Sequence, residues 1–417
     1  MTLFQLAALF VSLTAAVGWL NARWLRLPQG VAMLSAGLLA ALGLYAAHAL
    51  APGLAGVDQT LQAVSDLDFP KAVVGYMLAF LLFAGAMRVD FGELRRRRLA
   101  VLTLATLGVL ASTALVGGGV WLAARALGLD LPLTWSLVFG ALISPTDPVA
   151  VLAIVRQGKL SRQLQAILQG EALFNDGVGI VVFLATLAVA TGGAGADPGR
   201  ASLQVLIQAG GGAAFGFLGA LLVVRAMAAI DDHAVEAMLS LALAAGLYAA
   251  AEALHLSGPI AVVAAGLLFG DRATAEVSRA SRAYLEGFWL LVDEILNAVL
   301  FFLLGLELLA APFHMQFIGL WAAVIPLVLL ARFAVVAPWG AYFHFRRGER
   351  GPSLILTWGG LHGALSLALA LSMPASAYKS LLVSVTYAVV VFSVGVQGLT
   401  FGRLVAALNR PPKPSPG

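Results

Sequence analysis

Cysteine is absent from the chain, and this absence excludes disulfide bonds, thiolate metal sites and cysteine nucleophiles. Two hydrolase signatures, Gly-x-Ser-x-Gly and His-Glu-x-x-His, are also missing, which argues against an intramembrane hydrolase. Charge is scarce, because Asp, Glu, Lys and Arg make up 11% of the 417 residues, whereas a soluble domain carries about 25%. The basic residues are scattered among predicted loops, so the net charge of +4 does not indicate nucleic-acid binding.

Hydrophobic residues are what the chain has in excess, at 61%. The excess extends along the whole length, and about 20 apolar residues suffice to cross a bilayer. The sequence therefore predicts an all-α polytopic membrane protein with about 13 transmembrane helices. The predicted spans are 3–20, 30–50, 72–88, 99–125, 133–155, 164–190, 201–228, 234–254, 257–271, 287–310, 315–342, 352–372 and 379–405.

The basic residues predict the topology of these spans. Of the 25 Lys and Arg residues, all but five lie in alternate loops, beginning with the loop after the first span. The positive-inside rule places those loops in the cytoplasm. The sequence thus predicts an external N-terminus, a cytoplasmic C-terminus and a short proline-rich cytoplasmic tail over 406–417. The five exceptions are Lys71, Arg125, Arg200 and Lys379 in the opposite loops and Arg332 inside a span.

Two spans are interrupted. The fifth contains Ser144-Pro-Thr-Asp-Pro148, and the twelfth contains Gly359-Gly-Leu-His-Gly363. Proline removes a backbone donor and glycine weakens a helix, so both spans should unwind there. The two interruptions occupy corresponding positions of two inverted halves, spans 4–6 and 11–13, which is the sequence pattern of a transporter binding site. Ordinary proline and glycine in membrane helices are the alternative interpretation.

Several carboxylates fall inside the predicted spans, where ionisable groups are costly and usually functional. Asp176 is predicted to bind a cation or a proton; a carboxylate satisfied by a basic partner is the alternative. Glu171 lies on a different helix face, because five residues correspond to about 140°. Arg332 is the one deep basic group, so Glu171 and Arg332 are predicted to form a structural ion pair.

Other polar residues leave two interpretations open. Asp147, with Thr146 beside it, could bind an ion at the unwound fifth span or could cap the free helix ends. Asp293 and Glu294 could form a cytoplasmic cation funnel or an interfacial polar face. Asn297 is predicted to form a helix–helix hydrogen bond rather than to be a ligand.

These residues together resemble the prokaryotic sodium/proton antiporters of the cation:proton antiporter-1 family. The matching segments are Ser144–Val151, Glu171–Gly177, Leu296–Glu307 and Thr357–Ser366, and they occur in the expected order. The resemblance implies two crossed, unwound helices, a core domain around spans 4–6 and 11–13, and a dimerisation domain from the remaining spans. Residues 1–405 would then form a single transporter unit that assembles as a homodimer.

The resemblance also implies roles for individual residues. Asp176 would be the ion- and proton-binding carboxylate, with Asn175 as its neighbour and with Thr146 and Asp147 at the unwound helix. An uncharged Asn175 goes with electroneutral exchange. The chain departs from the family pattern at three positions. His362 stands where an arginine is common, Ala84 stands at or near a position where many relatives carry an acidic residue, and Ala172 stands where a serine side chain can help to coordinate the cation.

The sequence therefore predicts a secondary antiporter in a bacterial inner membrane, neither an enzyme nor dependent on a cofactor. Its partners would be the lipid bilayer, protons and monovalent cations. Na⁺ or Li⁺ would exchange for H⁺ by alternating access and without net charge movement, with Na⁺ bound at Asp176, Asp147 and Thr146 and with K⁺/H⁺ exchange as the alternative. A non-transporting membrane sensor or scaffold is the alternative from another class.

Overall fold

The structure is a computed structural model, and it describes residues 3–50, 68–147, 160–192, 198–276, 278–307, 317–348 and 351–408. These residues are helical apart from short connections, and no strand occurs among them. The helices of the first half are α1 (Leu3–Leu20), α2 (Gln29–Leu50), α3 (Leu78–Met87), α4 (Phe91–Thr103), α5 (Val109–Ala126), α6 (Leu133–Ile143) and α7 (Arg162–Ala190). Those of the second half are α8 (Pro198–Met227), α9 (His233–Ala253), α10 (Gly258–Glu276), α11 (Arg279–Leu306), α12 (Ile318–Arg347), α13 (Pro352–Gly359), α14 (Ala364–Ser372), α15 (Lys379–Phe392) and α16 (Gly398–Leu408).

Short π-helical segments join or extend some of these helices. They cover Asn21–Leu25, Lys71–Met77, Leu104–Gly108 and Ser393–Gln397. Because of them, α4 and α5 form one continuous span over Phe91–Ala126, and α15 and α16 form another over Lys379–Leu408. Such bulges inside membrane helices often occur near functional sites.

Each of the thirteen predicted spans contains helix. Among the described residues, nine helices are long and apolar enough to cross a membrane. The third and ninth spans contain the shorter apolar stretches Leu78–Met87 and Gly258–Asp271. The fifth ends as a helix at Ile143, and positions 148–155 of its predicted range lie outside the described residues. The twelfth is split into α13 and α14. The chain is therefore a multi-pass membrane protein, and the number thirteen stays a prediction.

The fourth span begins earlier than the sequence predicts. The helix starts at Phe91, so the arginine run 95–98, predicted to lie in a loop, is helical. Asp90 explains this start, because its side chain accepts a hydrogen bond from the Glu93 N–H at 3.0 Å and caps the helix. At the other end of the chain, α16 ends at Leu408, and the remaining tail lies outside the described residues.

Side-chain caps begin three further long helices. Ser161 accepts from the Leu164 N–H at 3.3 Å, Asp232 from the Ala234 N–H at 2.9 Å, and Ser278 caps α11 in the same way. Each cap satisfies a backbone donor that the first turn leaves unpaired. All of these caps lie at helix ends that the predicted topology places in the cytoplasm.

Helix packing follows two patterns. In one set, α5 packs against α6, α6 against α7, and α12 against α5 and α13. In the other set, α2 packs against α11, and α10 packs against α8 and α3. The cavity described below has walls from both sets.

The buried apolar side chains form two clusters, which meet along three long helices. On α7, Leu173 belongs to one cluster and Phe183 to the other. On α12, the change falls between Ala331 and Val336, and α11 shows the same change. Polar side chains lie where each of these three helices passes from one cluster to the other: Asn175, Asp176, Arg332, Asp293 and Asn297. The costly polar groups are therefore concentrated in one layer within the bundle.

Candidate functional site

The two helix interruptions contact each other. Helix α6 ends at Ile143, and the backbone then runs without helix to Asp147. The Asp147 N–H donates to the Leu361 carbonyl at 2.6 Å. This hydrogen bond belongs to an isolated antiparallel β-bridge, which joins the non-helical segment after α6 to the segment between α13 and α14. Unwound segments leave backbone donors and acceptors without helical partners, and this bridge pairs one of each.

Ser144 anchors the first interruption. Its hydroxyl donates to the Gly140 carbonyl at 2.6 Å, one of the acceptors at the end of α6. The same hydroxyl lies 3.2 Å from the Thr113 hydroxyl on α5. These contacts fix where the chain leaves the helix and hold the break against the neighbouring span.

His362 connects the second interruption to two other segments. Its backbone N–H donates to the Ser393 hydroxyl at 2.9 Å, and its ring Nδ1 lies 3.3 Å from the Pro145 carbonyl in the first interruption. The Ser393 hydroxyl donates in turn to the Gln397 side-chain oxygen at 2.8 Å. His362 thus lies buried between both breaks and the π-helical segment before α16.

Gly363 allows Asp147 to pack on the second interruption. A Cβ added at position 363 would lie 3.0 Å from both Cβ and Cγ of Asp147. The added Cβ would also clash with Oδ2 of Asp147, at a separation that real Cβ atoms essentially never show, so any larger residue would displace the carboxylate. Glycine is therefore a steric requirement of this pair.

A cavity of about 100 Å³ lies where the two interruptions meet. Asp176, in the middle of α7, lines it together with Thr146 and Asp147, and side chains of α3 form an apolar wall. A space of this size admits a few water molecules. Within the part of the chain that the structure describes, no group of three or more His, Cys, Asp or Glu side chains could hold a metal ion.

Asn175 contacts Thr146 and is absent from the residues that line the cavity. Its Nδ2 donates to the Thr146 hydroxyl at 2.8 Å, and its Oδ1 accepts no hydrogen bond from the described part of the chain. The Asn175 residue is only 1% exposed. Since the hydroxyl accepts from this amide, its own proton and remaining lone pair are directed elsewhere. The geometry makes Asn175 a residue that orients Thr146.

Glu171 and Arg332 contact each other away from the cavity. Arg332 donates through Nη1 to Glu171 Oε1 and through Nη2 to Oε2, the second at 2.9 Å. Its Nη2 also lies 3.3 Å from the Leu356 carbonyl in α13. Interruption of that helix deprives the Leu356 carbonyl of its usual partner, and a positive group is favourable at a helix C-terminus. The pair therefore joins α7, α12 and the first half of the broken span.

Arg88 belongs to the cavity wall, although its sequence position suggests only a loop charge. Its Nη2 donates to Asp293 Oδ2 at 2.6 Å, and both residues line the cavity. Asn297 also lines it and donates to the Asp293 backbone carbonyl and to Oδ1, at 2.9 and 2.8 Å. The predicted helix–helix hydrogen bond of Asn297 is thus replaced by bonds to its own helix, since Asp293 lies one turn away.

Asp293 and Glu294, predicted to form either a cytoplasmic cation funnel or an interfacial polar face, have different surroundings. Asp293 is buried and paired with Arg88, and Glu294 is not among the residues that line the cavity. Adjacent residues on a helix point about 100° apart, so the two carboxylates do not share this surface. No signal in the sequence singles out Arg88 as the partner of a residue so distant along the chain.

The resemblance also singled out Ala172 and Ala84, of which the first lines the cavity and the second does not. Ala172 lines the cavity, so a serine hydroxyl at that position would reach it. Ala84 is fully buried on α3, and its neighbour Gly85 lines the cavity.

Comparisons with known proteins show the family to which the chain belongs. The family model described as "Sodium/hydrogen exchanger, transmembrane" matches residues 10–407. The chain is 37% identical to the Na⁺/H⁺ antiporter NhaP of Pseudomonas aeruginosa over 97% of this chain and 96% of the relative. It is 33% identical to the Na⁺/H⁺ antiporter NhaH of Halobacillus dabanensis, over 82% of this chain and 84% of the relative.

A solved structure shares the fold. It is the sodium proton antiporter MjNhaP1 of Methanocaldococcus jannaschii, with a TM-score of 0.72 and 21% identity, covering 97% of this chain and 98% of that chain. The family match spans almost the whole sequence. The chain belongs to the transmembrane sodium/hydrogen exchanger family.

Proposed function

We propose that the chain exchanges Na⁺ for H⁺ across a bacterial inner membrane, with Asp176 as the carboxylate that both ions share. The observation that carries the proposal is the placement of Asp176 and Asp147 in one cavity at the contact of two unwound helices. Ionisable groups in such a place mark ion pathways. The relatives named as Na⁺/H⁺ antiporters support Na⁺ over the K⁺ alternative, and Li⁺ would follow Na⁺.

The cavity supplies oxygen ligands, which a hard cation prefers. Ionised Asp176 would bind Na⁺ together with Asp147, Thr146 and water. Asn175 would hold the Thr146 hydroxyl in place through its 2.8 Å hydrogen bond. When a proton occupies Asp176, the cation loses its strongest ligand and leaves. The two ions therefore compete for one group.

The charges around the cavity favour electroneutral exchange. Asn175 is uncharged, so α7 contributes one exchanging carboxylate to the cavity. Asp293 is neutralised by Arg88 at 2.6 Å. A carrier loaded with one Na⁺ or with one H⁺ then has the same net charge.

Alternating access would require one set of helices to move against the other. The core domain would comprise spans 4–6 and 11–13, with the unwound fifth and twelfth spans crossing in it, and the remaining spans would form the dimerisation domain. The packing of α5, α6, α7, α12 and α13 supports this division. The cavity with walls from both sets would open to one side and then to the other in a homodimer.

Ion-driven pH change in proteoliposomes tests the proposal. Na⁺ or Li⁺ added outside should alkalinise the lumen, because each cation that enters is exchanged for a proton that leaves. The rate should not change under an imposed membrane potential. Asp231→Asn, which changes an exposed carboxylate, should match the wild type. Faster exchange with K⁺ than with Na⁺ would reverse the choice of ion. No pH change with any cation would favour a sensor or scaffold.

A further inference from the structure

A second, larger cavity lies on the outer face of the molecule, apart from the ion site. It is a groove of about 450 Å³ between the start of α4 and the end of α12. It shares no lining residue with the ion-site cavity. The lining residues of this groove are Arg96, Arg97, Leu99, Ala100, Pro338, Trp339, Tyr342 and Phe343.

One end of the groove is cationic. Arg97 is half-buried, and its Nε has no hydrogen-bond partner among the residues that the structure describes. Arg96 contacts Glu93 at 3.0 Å, but its side chain is 75% exposed. An exposed ion pair of this kind is weak, so Arg96 can exchange that contact for another anion. Guanidinium groups bind phosphate oxygens with matching geometry.

The rest of the groove is apolar, and its aromatic wall is fixed. Trp339 donates from its indole nitrogen to the Thr103 hydroxyl at 2.9 Å and stacks on Phe343 with ring centroids 5.7 Å apart. Tyr342 meets Phe343 edge to face. Leu99 is 66% exposed, as expected of a side chain that faces lipid. Aromatic rings of this kind are enriched where a membrane meets water.

We propose that this groove binds an anionic phospholipid. The phosphate would lie on Arg96 and Arg97, and an acyl chain would lie along Leu99, Trp339 and Tyr342. The predicted topology places this end of the bundle at the cytoplasmic surface, where anionic lipids attract basic residues and basic pockets between helices bind lipid headgroups. The proposal does not depend on the transport function.

The arginine run itself supplies a matched control for the test. Arg95 and Arg98 lie in the same helical turn and are exposed, but they do not line the groove. R96Q/R97Q and R95Q/R98Q therefore change the net charge equally on the same helix. Both variants and the wild type would be titrated with phosphatidylglycerol, phosphatidylcholine and inorganic phosphate, and bound lipid would be counted by native mass spectrometry of the purified full chain.

The wild type should retain phosphatidylglycerol in preference to phosphatidylcholine. R96Q/R97Q should weaken phosphatidylglycerol binding on the order of thirtyfold, which corresponds to about 1 kcal/mol for each arginine near the surface. R95Q/R98Q should bind it as the wild type does. Equal losses in the two variants, or no preference for phosphatidylglycerol in the wild type, would overturn the proposal. Binding of inorganic phosphate at the same affinity would show an anion site without lipid recognition and would overturn it as well.

Discussion

The buried pair of Glu171 and Arg332 gives the sharpest prediction on stability. Glu171 is 1% exposed and Arg332 is 7% exposed. Removal of one partner therefore leaves the charge of the other buried and uncompensated. Such a loss costs about 3–5 kcal/mol. Arg332→Met also removes the bond to the Leu356 carbonyl, which contributes about 1 kcal/mol. Each single variant should therefore be strongly destabilised.

The double variant Glu171→Leu/Arg332→Met separates structure from transport. Replacement of both charges by apolar groups is often nearly neutral, so the double variant should be more stable than either single variant. The assay is unfolding by SDS titration in mixed micelles, combined as a double-mutant cycle, with an expected coupling of at least about 3 kcal/mol. Neither residue lines the ion-site cavity, so the double variant should still exchange Na⁺. Additive destabilisation, or a stable double variant without exchange, would refute a purely structural role.

Three further substitutions test the ion site itself. Asn175→Ala should raise the KM for Na⁺ about fivefold, because loss of one orienting hydrogen bond costs about 1 kcal/mol, and the stability should change little; an unchanged KM would show that Thr146 needs no support. Ala172→Ser should lower the KM for Na⁺ in the same proteoliposome assay, since its hydroxyl adds an oxygen to the cavity, and a raised KM would contradict this. Gly363→Ala should abolish exchange, because its Cβ would displace the carboxylate packed against it, whereas Gly395→Ala, with no atom within 4 Å of its Cβ, should be active; equal activities would exclude the steric argument.

Much of the helical architecture could be predicted from the sequence, because length and apolar composition determine whether a segment can cross a membrane. The separation of Asp176 from Glu171 was also predictable. The helical period places the two on different faces, and the structure has Asp176 lining the cavity and Glu171 against Arg332. The separation of the two carboxylates follows from the helical period, and the pairing of Glu171 with Arg332 follows from the scarcity of basic residues inside the predicted spans.

Other contacts between helices that are far apart in the sequence could not be predicted from it. Arg88 is the last residue of a predicted span and counts as a topology signal, so nothing in the sequence identifies Asp293 as its partner. The direction of the Asn175 side chain toward Thr146 depends on how α6 ends, which Ser144 and Thr113 determine through tertiary hydrogen bonds. Periodicity along one helix does not contain this information.

The central claim is that Na⁺ and H⁺ compete for the Asp176 carboxylate. The most direct measurement is Na⁺-driven proton flux in proteoliposomes, with wild type, Asp176→Asn and the exposed-site control Asp231→Asn at two pH values about one unit apart. In the pH range where Asp176 is mostly protonated, the account predicts that lowering the pH by one unit raises the apparent KM of the wild type for Na⁺ by up to about tenfold, and that Asp176→Asn is folded and inactive. Normal flux in Asp176→Asn, or a wild-type KM independent of pH throughout the active range, would contradict it.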